Sequence, residues 1–149
     1  MPTGKHQVEI NVPIDVIWDF VKDIDNWAPL VPNYIAHEKL SDRTSTWEFK
    51  SEIGILKKKI SLVIDIKEWI EPTKVYFTLK GQSEKYFGEG YFEAKAINHT
   101  KTKLTGFLEV NVNGKLGSAV NSKLESALPE AVEEMAIAIS SKLLELIRK

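Results

Sequence analysis

The last third of the chain, "GKLGSAVNSKLESALPEAVEEMAIAISSKLLELIRK", carries one apolar stripe at helical spacing through Leu116, Val120, Leu124, Ala127, Leu128, Ala131, Met135, Ile139, Leu143 and Leu146. About thirty helical residues rise about 45 Å, enough to cross a whole sheet. Pro129 falls inside this segment. It removes one backbone hydrogen bond and crowds the carbonyl of Glu125, so a kink or a break into two helices is expected there.

Most of the chain before this segment reads as strands. Val8, Ile10 and Val12 alternate with polar neighbours, and Pro13 ends the run. "PIDVIWDFVKD" then places Ile14, Ile17, Trp18 and Val21 three and four apart, which predicts a short helix over residues 13 to 22. Six further strand patterns follow, "YIAHEKL", "STWEFKSEI", "KKKISLVIDIKEWI", "KVYFTLKG", "EKYFGEGYFEAKAI" and "TKLTGFLEVNV". The links "SDRT", "GILK", "EPTK" and "NHTK" are too short for parallel crossovers, so one meandering antiparallel sheet is expected. No internal repeat or linker interrupts it.

A chain of 149 residues is the size of one domain and needs no covalent staple. It has no cysteine, which excludes disulfides and thiolate metal sites. A formal charge of -1 provides no long-range field for phosphate backbones or anionic lipid, so nucleic acid is not expected as a partner. The start lacks a signal-peptide core, and no run of about 18 apolar residues could span a bilayer. A cytoplasmic location is the expectation.

Between the short helix and the first of those later strands, "DIDNWAPLVPNYIAHEKLSD" crowds Trp27, Leu30, Val31 and Tyr34 around Pro29 and Pro32. The prolines keep this apolar segment out of regular helix.

The order of elements resembles the helix-grip proteins of the SRPBCC, START-like or Bet v 1-like superfamily. Within it the chain looks most like the CoxG-like branch associated with carbon monoxide dehydrogenase, on "VPIDVIWDFVKDIDNWAPLVP", "GEGYFEA" and "VNVNGKL". It departs from that branch at Asn33, where relatives usually carry glycine, and near Val120 and Asn121, where another glycine is common. The resemblance covers nearly all the residues. It implies an α+β helix-grip fold: about seven antiparallel strands in a curved sheet around a long C-terminal helix, with two short helices after the first strand. It also implies a single START-like ligand-binding domain over residues 1–149.

Strand phase points to a cavity. In "KYFGEGYFEAKA" the charged residues share odd parity, so Tyr86, Gly88, Gly90, Phe92 and Ala94 are expected to face inward. In the last strand Leu104, Gly106, Leu108, Val110 and Val112 do so, with Lys103, Glu109 and Asn111 outward. The glycines remove volume where a packed core would place larger side chains, leaving either a hollow or a close approach of the helix backbone; a bend or bulge is the other use of a strand glycine. Ile60, Leu62, Ile64 and Ile66, then Val75, Phe77 and Leu79, form apolar inward rows that Trp47, Phe49 and Ile53 continue. Leu128, Val132 and Met135 complete the expected lining from the helix. By the resemblance, Trp27, Leu30, Val31 and Tyr34 form a lid at the cavity mouth; the plainer reading is a plug that completes the core. Glu48, Glu52, Asp65, Glu84 and Tyr86 are polar groups that could enter the cavity and orient a ligand if a bulge shifts the register, with Tyr86 favoured by its parity.

No catalytic set is visible. His6, His37 and His99 are isolated, there is no HExxH, and no serine lies in a nucleophile elbow. "GEG" at Gly88–Gly90 lacks the helix opening of a dinucleotide fingerprint. No metal, cofactor or catalytic residue is expected. The functional expectation is a non-catalytic binding or carrier protein for a small hydrophobic or amphipathic molecule of lipid, quinone or aromatic type. The alternatives are an enzyme of the polyketide cyclase kind and an accessory module docking onto a partner enzyme or a membrane surface.

Overall fold

The computed structural model describes residues 2–31, 33–50, 59–81, 86–113 and 117–147. Strand β1 (Thr3–Ile10) leads into helix α1 (Ile14–Val21), the short helix α2 (Ile24–Trp27) and a 3-10 turn, Ala28–Leu30. Strands β2 (Tyr34–Lys39), β3 (Thr44–Lys50), β4 (Lys59–Ile70), β5 (Lys74–Gly81), β6 (Tyr86–Ala96) and β7 (Thr102–Val112) follow, and helix α3 (Gly117–Ile147) comes last. The seven strands form one antiparallel sheet in the order β1-β7-β6-β5-β4-β3-β2. This is the helix-grip fold.

The meander follows from its short turns; β1 alone joins out of sequence, pairing with β7 from Thr3 opposite Glu109 to Ile10 opposite Thr102. Pro13 caps α1 with extended backbone (ψ 146°), and its carbonyl accepts from Val16 and Ile17. Helix α1 buries Ile17, Trp18, Phe20 and Val21. They join Ile10, Val12, Ile66, Val75, Ala94, Leu104, Ile139 and Leu143 in the main core, which lies between the first helix, the sheet and the second half of α3. The buried Trp18 indole N–H is satisfied by the Glu71 carboxylate at 2.6 Å.

The break expected at Pro129 does not occur: α3 runs as one helix from Gly117 to Ile147. Helix packing along the stripe, with Leu124, Leu128, Val132, Ile139 and Leu143 buried, outweighs the single lost backbone bond. Asn111, expected to face water, is buried opposite Phe87. Ile53, Glu52, Glu84 and Pro32 lie outside the described residues, as do the side chains of Leu116 and Val120.

Candidate functional site

Helix α3 lies mainly against β1 and β7, at one side of the sheet. The inner face of the remaining strands is therefore covered by side chains reaching across from α3 and from the segment after α1. Leu62, Ile64, Phe77 and Leu108 pack around Leu79, Tyr86, Val110, Leu124 and Leu128. Phe92, Met135, Leu30 and Trp27 pack onto the main core, and Phe77 touches both groups. Trp27, Val31, Tyr34, Phe49 and Ile64 gather around Ile24, Ala28 and Trp47. Val132 is buried on α3 and faces Gly106. Ile60, Leu62, Ile64, Phe77 and Leu108 are inner-face apolar residues that stay only half-buried.

The glycines differ from the expected open row. A Cβ on Gly88 would collide with the Glu109 carbonyl of the neighbouring strand, so this glycine serves close strand approach rather than a hollow. One on Gly90 would lie 2.6 Å from Phe77 Cζ and 2.7 Å from the Phe107 carbonyl oxygen. Phe77 is the cross-strand partner of Gly90, and its ring occupies the volume that the missing side chain leaves. Only Gly106 among these three has room, its nearest neighbour being Val132 Cγ1 at 3.6 Å. Close approach of the helix backbone happens instead at Gly4, on β1.

The segment from Asp23 to Tyr34 is anchored at both ends. Asp23 caps α2 by accepting from the Asp25 N–H at 3.0 Å. The Asn26 amide and the Trp27 indole N–H reach back to the carbonyls of Phe20 and Val21, at 3.0 and 2.9 Å, and so satisfy the open C-terminal end of α1. Trp27 packs on Trp47 with ring centroids 5.6 Å apart, and Trp47 stacks on Phe49 at 5.9 Å. Asn33 has φ 63°, left-handed backbone that glycine adopts freely and asparagine tolerates better than most residues.

Sequence reading missed a polar chain on the inner face. The Tyr34 hydroxyl lies 2.5 Å from His37 Nδ1, and His37 Nε2 lies 2.6 Å from the Asp25 carboxylate. Residues three apart in a regular strand point to opposite faces, but a register shift between Tyr34 and Ala36 puts Tyr34 and His37 on the same one. The His37 side chain is 11% exposed and its ring packs on Trp47, 5.5 Å between centroids. Lys39 adds ion pairs to Asp23 at 2.8 Å and to Asp25 at 3.1 Å. Hydrogen bonding from His37 and then Lys39 holds the Asp25 carboxyl below its ordinary value, and the Lys39 bond does the same for Asp23. Nothing in the sequence marks the bulge, so a spacing argument could not have joined these residues.

Beside this chain opens a cleft of about 490 Å³. Lys22, Asp23 and Ile24 form one wall, Lys39 and residues 41 to 45 another, and the inner-face residues Ile66 and Trp69 contribute apolar surface. Among the described residues no three histidine, aspartate or glutamate side chains are grouped to hold a metal ion, and no helix is long and apolar enough to cross a membrane.

A protein-family model matches residues 1–148. No curated protein matches the sequence. Among solved structures, a conserved protein from Geobacillus kaustophilus superposes with a TM-score of 0.82 at 16% identity, covering 96% of this chain and 95% of its own. A START superfamily protein from Mycobacterium smegmatis gives 0.73 at 16% identity, over 97% and 98% of the two chains. The Zhui aromatase/cyclase from Streptomyces sp. R1128 gives 0.69 at 12% identity, over 97% and 94%.

Proposed function

We propose that the chain is a member of the START-like, Bet v 1-like superfamily, whose fold it shares with the START superfamily protein and the aromatase/cyclase above, and that it binds a small hydrophobic or amphipathic molecule between the sheet and α3. The observation that carries this reading is the row of inner-face residues, Ile60, Leu62, Ile64, Phe77 and Leu108, that remain half-buried although they point at the helix side. Apolar surface held in that state gains about 2.5 kcal/mol for each 100 Å² a ligand covers, at about 25 cal/mol per Å², less the cost of immobilising the ligand. Binding is the primary role in this reading, because the half-buried row that a ligand would cover is apolar. The ligand class is lipid, quinone or aromatic.

Native mass spectrometry of the protein purified from its own cells tests this directly. A retained small molecule of apolar character is the expected result. If repeated preparations carry no such molecule and the protein has no measurable affinity for apolar fluorescent probes, the carrier reading fails; capture of a partner enzyme by the empty protein would then favour an accessory module in the cytoplasm or at a membrane surface. A second reading, an enzyme of the polyketide cyclase kind, draws on the likeness to an aromatase/cyclase and on one local observation, the Tyr34–His37–Asp25 chain.

A further inference from the structure

The ring nitrogens of His37 are engaged by two groups of opposite character. An ionised Asp25 only accepts, so the Nε2 facing it at 2.6 Å carries the proton. In the neutral imidazole Nδ1 is then a bare acceptor, and the Tyr34 hydroxyl donates to it at 2.5 Å. If the imidazole gains a proton, Nδ1–H donates and the Tyr34 oxygen accepts across the same contact. One proton can therefore pass between Tyr34 and His37 with no movement of heavy atoms, and the carboxylate of Asp25 stabilises the imidazolium that forms. Hydroxyl, imidazole and carboxylate in this order are the elements of a base-activated oxygen.

Two features set this chain apart from an incidental surface network. It depends on the strand irregularity after Tyr34, without which the hydroxyl and the imidazole would lie on opposite faces. It also sits against apolar surface: the Tyr34 ring meets Trp47 edge-on at 6.3 Å and shares a cluster with Phe49 and Ile64, and Ile64 belongs to the inner-face row.

We propose that Tyr34 is a general base toward a carbon acid held on the inner face, with His37 and Asp25 as positioning residues that take up and stabilise its proton. The proposal rests on the binding reading above. The substrate class is a small apolar molecule with an acidic C–H, such as one beside a carbonyl. The Tyr34 oxygen takes the carbon-bound proton while its own proton moves to His37 Nδ1. The C–H electron pair shifts into the substrate, giving an enolate with the charge on the carbonyl oxygen. Return of the proton from His37 through Tyr34 to another atom of the substrate restores the starting state, so no oxidant or second reactant is consumed.

The test uses 5-nitrobenzisoxazole, an apolar aromatic whose C3 proton is removed by bases. The C–H pair becomes part of a nitrile, the N–O bond breaks, and a coloured phenolate is released. The full chain should open the ring with a rate above buffer, and C3-deuterated probe should react several-fold more slowly. General base catalysis contributes about 100-fold or more, so Tyr34→Phe should lose most of the enhancement. His37→Gln and Asp25→Asn should lower kcat with KM little changed, and Asp25→Glu should restore part of the rate. Thermal melts check that each variant is folded. Quenching of tryptophan fluorescence reports binding of the probe separately. Quenching without turnover, or turnover undiminished in Tyr34→Phe, overturns the relay and leaves the binding reading standing; no quenching and no turnover overturns both.

Discussion

Gly4 of β1 and Leu128 of α3 are in backbone contact: a Cβ on Gly4 would lie 2.5 Å from the Leu128 carbonyl oxygen and 3.0 Å from the Pro129 nitrogen. The long helix is seated on the sheet here, one residue before the proline that removes a bond from its own ladder. Gly4→Val should cost about 1 to 3 kcal/mol, since neither backbone can yield. Gly106→Ala, whose nearest neighbour is a side-chain methyl at 3.6 Å, should leave stability unchanged or raise it by up to about 1 kcal/mol. Urea melts of the two variants check the contrast, and equal losses would show that the helix is not seated at Gly4.

Gly90 lies under the ring of Phe77, with the Phe107 carbonyl 2.7 Å from where a Cβ would be. The ring can swing aside; the carbonyl cannot. Gly90→Val should therefore lose about 1 to 3 kcal/mol instead of gaining contacts from an empty space. Melting and titration with an apolar probe on the same variant decide the matter. Full stability with lost binding would restore the hollow at this position.

Trp27 is half-buried, donates to Val21 and packs on Trp47. Trp27→Ala should lower stability by less than the roughly 3 to 5 kcal/mol typical of a core aromatic, and should quicken release of a bound apolar probe. Stopped-flow release beside a denaturant melt measures both. A full core-sized loss with release unchanged would identify Trp27 as a plug of the core.

Asp23 and Asp25 have carboxyls held below their ordinary value of 3.8 by Lys39 and by His37 with Lys39, respectively. Groups with depressed folded-state values stabilise the fold above the unfolded value, and that contribution is lost as pH falls through the folded one. The denaturant midpoint should thus drop with acid from about pH 4 downward. Asp25→Asn should flatten part of that slope, and added salt should flatten it further because the Lys39 pairs are exposed. An acid titration of the midpoint in both proteins is the measurement; identical slopes would show that these pairs carry none of the acid sensitivity.

The order and type of the elements were legible in the residues themselves. Alternation in "KVYFTLKG" and "TKLTGFLEVNV" became β5 and β7 at the expected positions, and the apolar stripe became α3. The even-parity face of β6 points inward as read, with Tyr86, Gly90 and Ala94 buried. Such features follow from local periodicity, because one face of each element must leave water whatever its neighbours are.

What fills the inner face was decided only by the tertiary structure. A glycine in a strand reads the same whether its space is empty, taken by a cross-strand ring as at Gly90, or closed by a neighbouring backbone as at Gly88 and Gly4. Pro129 reads as a kink or a break, yet the stripe packed on both sides of it holds one unbroken helix. His37 reads as isolated because its partners lie 3 and 12 residues away, on the same strand and on a separate helix. A one-residue bulge turns Tyr34 toward it, and the packing of α2 beside β2 supplies Asp25. Periodicity in the sequence determined which faces are buried; the meeting of side chains across those faces depends on register and on distances between elements, which the order of residues does not encode locally.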